Sequence, residues 1–82
     1  MMGVQRDLSD EALSSVADFK CPITMSVMRD PVIAADGQSY ERAALEEWLS
    51  SHQTSPLTGE RLAHMMITPN HRLRALIESH RT

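Results

Sequence analysis

Cysteine is almost missing from this chain. Cys21 is the single one in 82 residues. That excludes an internal disulfide, the staple on which small secreted scaffolds rely. It also weighs against zinc, because a structural site takes four Cys or His ligands, usually in closely spaced pairs. The candidates are Cys21, His52, His64, His71 and His80, and no two of them stand closer than seven residues. No metal ligand set and no cofactor motif is read from the chain. Charge of one sign is also lacking. The net charge is −3, with acids and bases scattered along the sequence, so there is no basic footprint for nucleic acid. The apolar runs are too short to span a bilayer, and the amino terminus lacks the apolar core of a signal peptide.

A chain of this length makes one domain and buries only about 60–65% of the surface its unfolded form exposes. With neither disulfide nor metal, its loops must be held by packing and hydrogen bonds. Residues 1–8 read as a polar, mobile tail. Ser9, Asp10 and Glu11 suit the start of a short helix, with Leu8, Leu13 and Val16 on its apolar side. Residues 19–31 read as a long ordered loop, punctuated by Pro22 and Pro31 and anchored by Phe19, Ile23, Val27 and Met28.

Val32-Ile33-Ala34 is a strand signal, and Gln38-Ser39-Tyr40 is its return. Asp36-Gly37 between them predicts a two-residue type I′ turn, which needs positive φ at both positions. A helix is expected over 41–50, with Glu41 in its first turn and Leu45, Trp48 and Leu49 on one side. Residues 51–67 form a second long loop. Thr68 as a capping hydroxyl and Pro69 at the first helical position predict a final helix with Leu73, Leu76 and Ile77 as its stripe, extended by His80. No internal repeat is visible along the chain. The fold class is α+β: two long loops around a hairpin and central helix, with a carboxy-terminal helix. Residues 18–80 form the domain, after an extension over 1–17. Two such loops in so small a domain are commonly functional.

The residues Phe19, Cys21-Pro22-Ile23, Met28, Asp30-Pro31-Val32, Gly37, Tyr40-Glu41, Trp48-Leu49, Pro56, Thr58, Leu62, Pro69-Asn70 and Leu73 stand in an ordered set over 19–78. In that order and spacing the chain resembles a U-box, the zinc-free relative of the RING finger. The resemblance implies ubiquitin ligase activity. Such a module binds a ubiquitin-conjugating enzyme and promotes transfer of ubiquitin to a substrate lysine, with no covalent intermediate of its own. The implied partners are the conjugating enzyme, ubiquitin and a substrate protein, with no nucleic acid and no membrane, and the domain is expected as a monomer or homodimer. The implied location is intracellular, in cytoplasm or nucleus, or a host cytosol for a bacterial effector. A non-catalytic module that keeps this shape for assembly is the alternative.

Carried over by position, the resemblance assigns the partner groove to Ile23 and Met25 in the first loop, Trp48 on the helix, and Pro56 and Leu57 in the second loop. Each has a plainer reading. Ile23 and Trp48 can serve as core, Met25 can fill a gap, and Pro56 can simply shape its loop. Many active relatives place an arginine, lysine or asparagine after the Pro-x-Thr segment, where it contacts the donor ubiquitin. Here that position is Gly59, with Arg61 two residues further on. Asp30, Asp36, Ser39, Tyr40, Glu41, Thr58 and Asn70 are the candidates for a polar network that replaces zinc. Cys21 as a ubiquitin-accepting thiol is disfavoured, because no motif positions a base beside it.

Overall fold

A computed structural model describes residues 16–81. The expected tail and the helix start at Ser9 lie outside the described residues. Among the described residues the elements are α+β: three short strands in one antiparallel sheet and two helices. A 3₁₀ turn over Ala17–Phe19 comes first. The strands are β1 (Pro31–Ile33), β2 (Ser39–Glu41) and β3 (Thr68–Pro69), and the helices are α1 (Arg42–Leu49) and α2 (His71–Arg81). The sheet order is β2-β1-β3. Loop 1 (20–30) leads into β1, and loop 2 (50–67) joins α1 to β3.

Pro31 opens the central strand, a place where its missing N–H costs no ladder bond. Its carbonyl accepts the Asn70 N–H at 2.9 Å. Val32 faces Tyr40 on one side and Pro69 on the other. The hairpin differs from expectation. Asp36 is not in the left-handed region; among described non-glycine residues only Met25 is. The connection is a three-residue loop. The Ala34 carbonyl accepts the Gly37 N–H at 2.9 Å, and the Ala34 N–H reaches Gln38 O at 3.0 Å. Gly37 alone takes positive φ, at 80°, the pattern of a turn closed by a glycine bulge.

Both helix starts also differ. Glu41 ends β2 and precedes α1 in extended backbone, outside the first turn. Its carboxylate is committed elsewhere: Oε1 accepts the Arg29 N–H at 2.8 Å and Oε2 the Asp30 N–H at 2.9 Å. Thr68 and Pro69 form the edge strand β3, so the cap passes to Asn70. Its Oδ1 accepts the Leu73 N–H at 3.1 Å, three residues in, as an N-cap side chain does. Pro69 is tolerated because an edge strand has one unpaired side.

The core is Phe19, Cys21, Val27, Met28, Val32, Ala34, Tyr40, Leu45 and Ile77, all buried. Leu45 is the buried residue of α1. Ile77 closes the core from α2, and Leu73 packs half-buried beside it. Leu76, read as part of that stripe, is instead exposed. His80 meets the Phe19 ring edge-on, with centroids 5.3 Å apart.

Candidate docking face and the network beneath it

The two loops repeat one another. Each carries a Pro-x-Thr segment, Cys21-Pro22-Ile23-Thr24 and Ser55-Pro56-Leu57-Thr58, at an offset of 34 residues. Each is pinched at its base by an isolated bridge, Lys20 to Val27 and Thr54 to Arg61. Inside the pinch, Cys21 N–H donates to Ser26 O at 2.9 Å, and Ser55 N–H donates to Glu60 O at 2.8 Å. At each tip an N–H reaches back four residues, Met25 to Cys21 O at 2.7 Å and Gly59 to Ser55 O at 2.9 Å. The Thr24 and Thr58 hydroxyls accept the N–H two residues on, from Ser26 and Glu60, both at 3.2 Å. Each tip ends in the left-handed region, with φ of 62° at Met25 and 80° at Gly59. In sequence the repeat is faint, because only proline and threonine are shared; backbone bonds carry the rest.

The residue before each proline provides the anchor. Cys21 is fully buried, and its Sγ accepts the Ile23 N–H at 3.4 Å and the Glu41 N–H at 3.2 Å. Ser55 is 1% exposed. Its Oγ accepts the N–H groups of Leu57 and Thr58, both at 3.1 Å, and donates to Asp36 Oδ2 at 2.6 Å. Tyr40 OH donates to the same oxygen at 2.6 Å, and Asp36 Oδ1 accepts the Gln38 N–H at 2.9 Å. Burial pushes the Asp36 carboxyl up, but the hydrogen bonds from Ser55, Tyr40 and the backbone outweigh it, so its pKa lies below 3.8. Burial, then the Asp36 bond, pushes Tyr40 up to about 12.

Loop 1 is tied to the same hairpin at its exit. Arg42 Nε donates to Asp30 Oδ2 at 2.7 Å, beside the Glu41 clamp on Arg29 and Asp30. On the far side of the sheet Asn70 Nδ2 donates to Ser39 Oγ at 3.0 Å. Thr58 is exposed and serves its own turn. Sequence reasoning missed Ser55, the hub of loop 2, and Arg42. The Pro-x-Thr match to Cys21 was the available signal for Ser55.

Of the groove candidates, Met25 and Leu57 project at the loop tips, 63% and 51% exposed. Ile23 and Pro56 are half-buried, and Ile23 packs against the core. Trp48 is half-buried on α1, and its indole N–H donates to Thr54 O at 2.7 Å, fastening loop 2 to the helix. Gly59 and Arg61 are both exposed. A β-carbon on Gly59 would meet open space. Among the described residues no group of three or more His, Cys, Asp or Glu side chains converges to hold a metal ion, and no helix is long and apolar enough to cross a membrane.

Two knuckle-like loops on a hairpin and helix define a small RING-like module, here with hydrogen bonds at the loop bases. The U-box domain family matches residues 17–82. The chain belongs to the U-box family. It is 57% identical over 61 residues to U-box domain-containing protein 50 of Arabidopsis thaliana, covering 73% of this chain and 8% of that protein. It is 50% identical over 62 residues to U-box domain-containing protein 16 of the same plant, covering 74% and 9%. It is 48% identical over 61 residues to the E3 ubiquitin-protein ligase SPL11 of Oryza sativa subsp. japonica, covering 73% and 9%. The chain thus spans about a tenth of the length of these relatives.

Proposed function

We propose that residues 18–80 form a ubiquitin ligase module. It docks a ubiquitin-conjugating enzyme on its two loop tips and central helix, and promotes direct transfer of ubiquitin to a substrate lysine. The observation that carries this reading is the pairing of exposed apolar tips with rigid bases. Met25 and Leu57 stand out in solvent on loops closed by backbone bonds. A preformed apolar surface loses little entropy on binding. The relative named as an E3 ubiquitin-protein ligase supports the same reading.

The chemistry belongs to the partner. Cys21 has no solvent access, and its sulfur is occupied by two N–H donors, so it is unsuited to receive ubiquitin. The domain acts by restricting the loaded conjugate to reactive geometry, a proximity effect. Exposed Arg61 is the cation nearest in sequence to Gly59, and it is our candidate for the contact to donor ubiquitin.

The test is lysine discharge from ubiquitin-loaded conjugating enzymes across a panel. Accelerated discharge with at least one enzyme, lost in Ile23→Ala, supports the proposal. Binding without acceleration would instead favour a non-catalytic assembly module, the reading that Gly59 supports.

A further inference from the structure

His52 lies two residues before Thr54, outside the repeat, and its ring covers one face of Trp48. The ring centroids are 3.7 Å apart and the planes differ by 6°. The indole is therefore held twice by loop 2: its N–H by the Thr54 carbonyl at 2.7 Å, its face by the imidazole. His52 itself is exposed. Whatever approaches this face of Trp48 meets the imidazole first.

The contacts of the ring bear on which nitrogen carries the proton, at a Trp48 carbonyl that also accepts the Ser51 and His52 backbone N–H groups at 3.2 and 3.0 Å. Nδ1 lies 3.2 Å from Trp48 O and 2.9 Å from Ser51 Oγ. A carbonyl oxygen only accepts, so Nδ1 must be the N–H for that contact to be favourable; the Ser51 hydroxyl can take either role. In the neutral ring this leaves Nε2 as a lone-pair acceptor on an exposed side chain.

We propose that His52 is a specificity-determining residue of the docking face. Its stacked ring presents an acceptor over the face of Trp48, and so selects conjugating enzymes that place an N–H or O–H donor there. The inference rests on the docking reading above and adds to it the chemistry of the partner at one point. A partner with an apolar side chain there strands the Nε2 lone pair. One with a carboxylate there sets two acceptors against each other.

The test compares His52→Phe, His52→Gln and His52→Ala with the unchanged protein, against the panel of loaded conjugating enzymes. His52→Phe keeps a flat ring over Trp48 and removes the acceptor. Its melting temperature should stay close to that of the unchanged protein. Its KM for the preferred enzymes should rise about twofold to tenfold, with kcat unchanged. His52→Gln returns an acceptor near the Nε2 position and should recover part of that loss. His52→Ala removes stack and acceptor and should lower the melting temperature as well. If His52→Phe matches the unchanged protein across the panel, or if Gln and Phe lose equally, the acceptor assignment is overturned. Ile23→Ala separates the two readings. If it too leaves KM unchanged, the docking face itself is wrong; if it abolishes binding while His52→Phe does nothing, only the role of His52 falls.

Discussion

Loop 1 and loop 2 share a backbone and differ in what holds them. Loop 1 is anchored by apolar burial: Phe19, Cys21, Val27 and Met28 are all in the core. At the matching places loop 2 has exposed Gln53, buried Ser55, exposed Arg61 and buried Leu62. Only one pair, Met28 and Leu62, is apolar and buried in both. Loop 2 makes up the difference with a hydroxyl driven into a carboxylate, Ser55 on Asp36. A bent backbone of this kind needs its inward N–H groups satisfied and its base fixed to the hairpin. Buried sulfur among apolar neighbours, with the Glu41 carboxylate at the loop exit, does this for loop 1, and the Ser55 hydroxyl on Asp36 does it for loop 2. The two loops show that the knuckle does not depend on one chemistry.

The sharpest way to break this comparison is to cut each loop at its own anchor. Met28→Ala removes a side chain 1% exposed and should cost about 2–5 kcal/mol, read as a loss in urea or thermal unfolding. Ile77→Ala on α2 belongs to the same class, since Ile77 is also 1% exposed. Leu73 is half-buried, as Ile23 is, so Ile77 is the proper core control for docking variants. Ile23→Ala should abolish conjugating-enzyme binding and destabilise less than Ile77→Ala. Equal melting losses would assign Ile23 to the core alone.

Ser55→Ala comes next. It strips Asp36 of one donor and leaves the N–H groups of Leu57 and Thr58 without their acceptor. The expected cost is about 1–3 kcal/mol, or roughly 4–8 °C of melting temperature per kcal/mol in a domain this size. Cys21→Ser should leave ubiquitin transfer intact apart from its effect on stability. A reducible ubiquitin adduct on Cys21 would overturn the mechanism.

The Ser55–Asp36 anchor of loop 2 sets a pH dependence. The folded pKa of Asp36 is depressed. Its contribution is therefore complete above the unfolded carboxylate range and is lost as pH falls from about 4 through the folded value. The Tyr40 pKa is raised to about 12. Its contribution is complete below the unfolded value near 10 and is lost as pH climbs from there toward about 12. Tyr40→Phe should remove the alkaline loss and lower stability at neutral pH by about 1 kcal/mol or more. An unchanged alkaline limb, followed by circular dichroism, would show that Tyr40 is not its source.

The smallest effects belong to the tips. Gly59→Ala should cost about 1–2 kcal/mol, because the left-handed region strains a side chain even where its β-carbon meets open space. Met25→Gly relieves that strain in loop 1 and should change stability little or favourably, while weakening partner binding through the lost thioether. Gly59→Arg carries the strain of Gly59→Ala. If Gly59 marks a missing donor-ubiquitin contact, this variant should still speed lysine discharge, with little change in partner affinity. If a folded Gly59→Arg gives no gain and Arg61→Ala loses most activity, Arg61 already makes that contact.

The sequence by itself determined the order of loop, hairpin, helix, loop and helix, and the family. The order rests on short-range signals: glycine at a turn, proline at strand and loop boundaries, apolar spacing on a helix; the family rests on the resemblance carried by the ordered set of residues from Phe19 to Leu73. Even there the ends moved by a residue or two, because neighbours competed for the same groups. Glu41 left the first turn of α1 when its carboxylate took the N–H groups of Arg29 and Asp30. Thr68 gave the cap of α2 to Asn70 when β1 paired with β3. Only the tertiary structure decided how the two loops are held. Ser55 and Asp36 are 19 residues apart, and Cys21 and Glu41 are 20 apart. A hydrogen bond across such a distance leaves no period and no local propensity in the chain. It exists only once the sheet has brought its partners within reach.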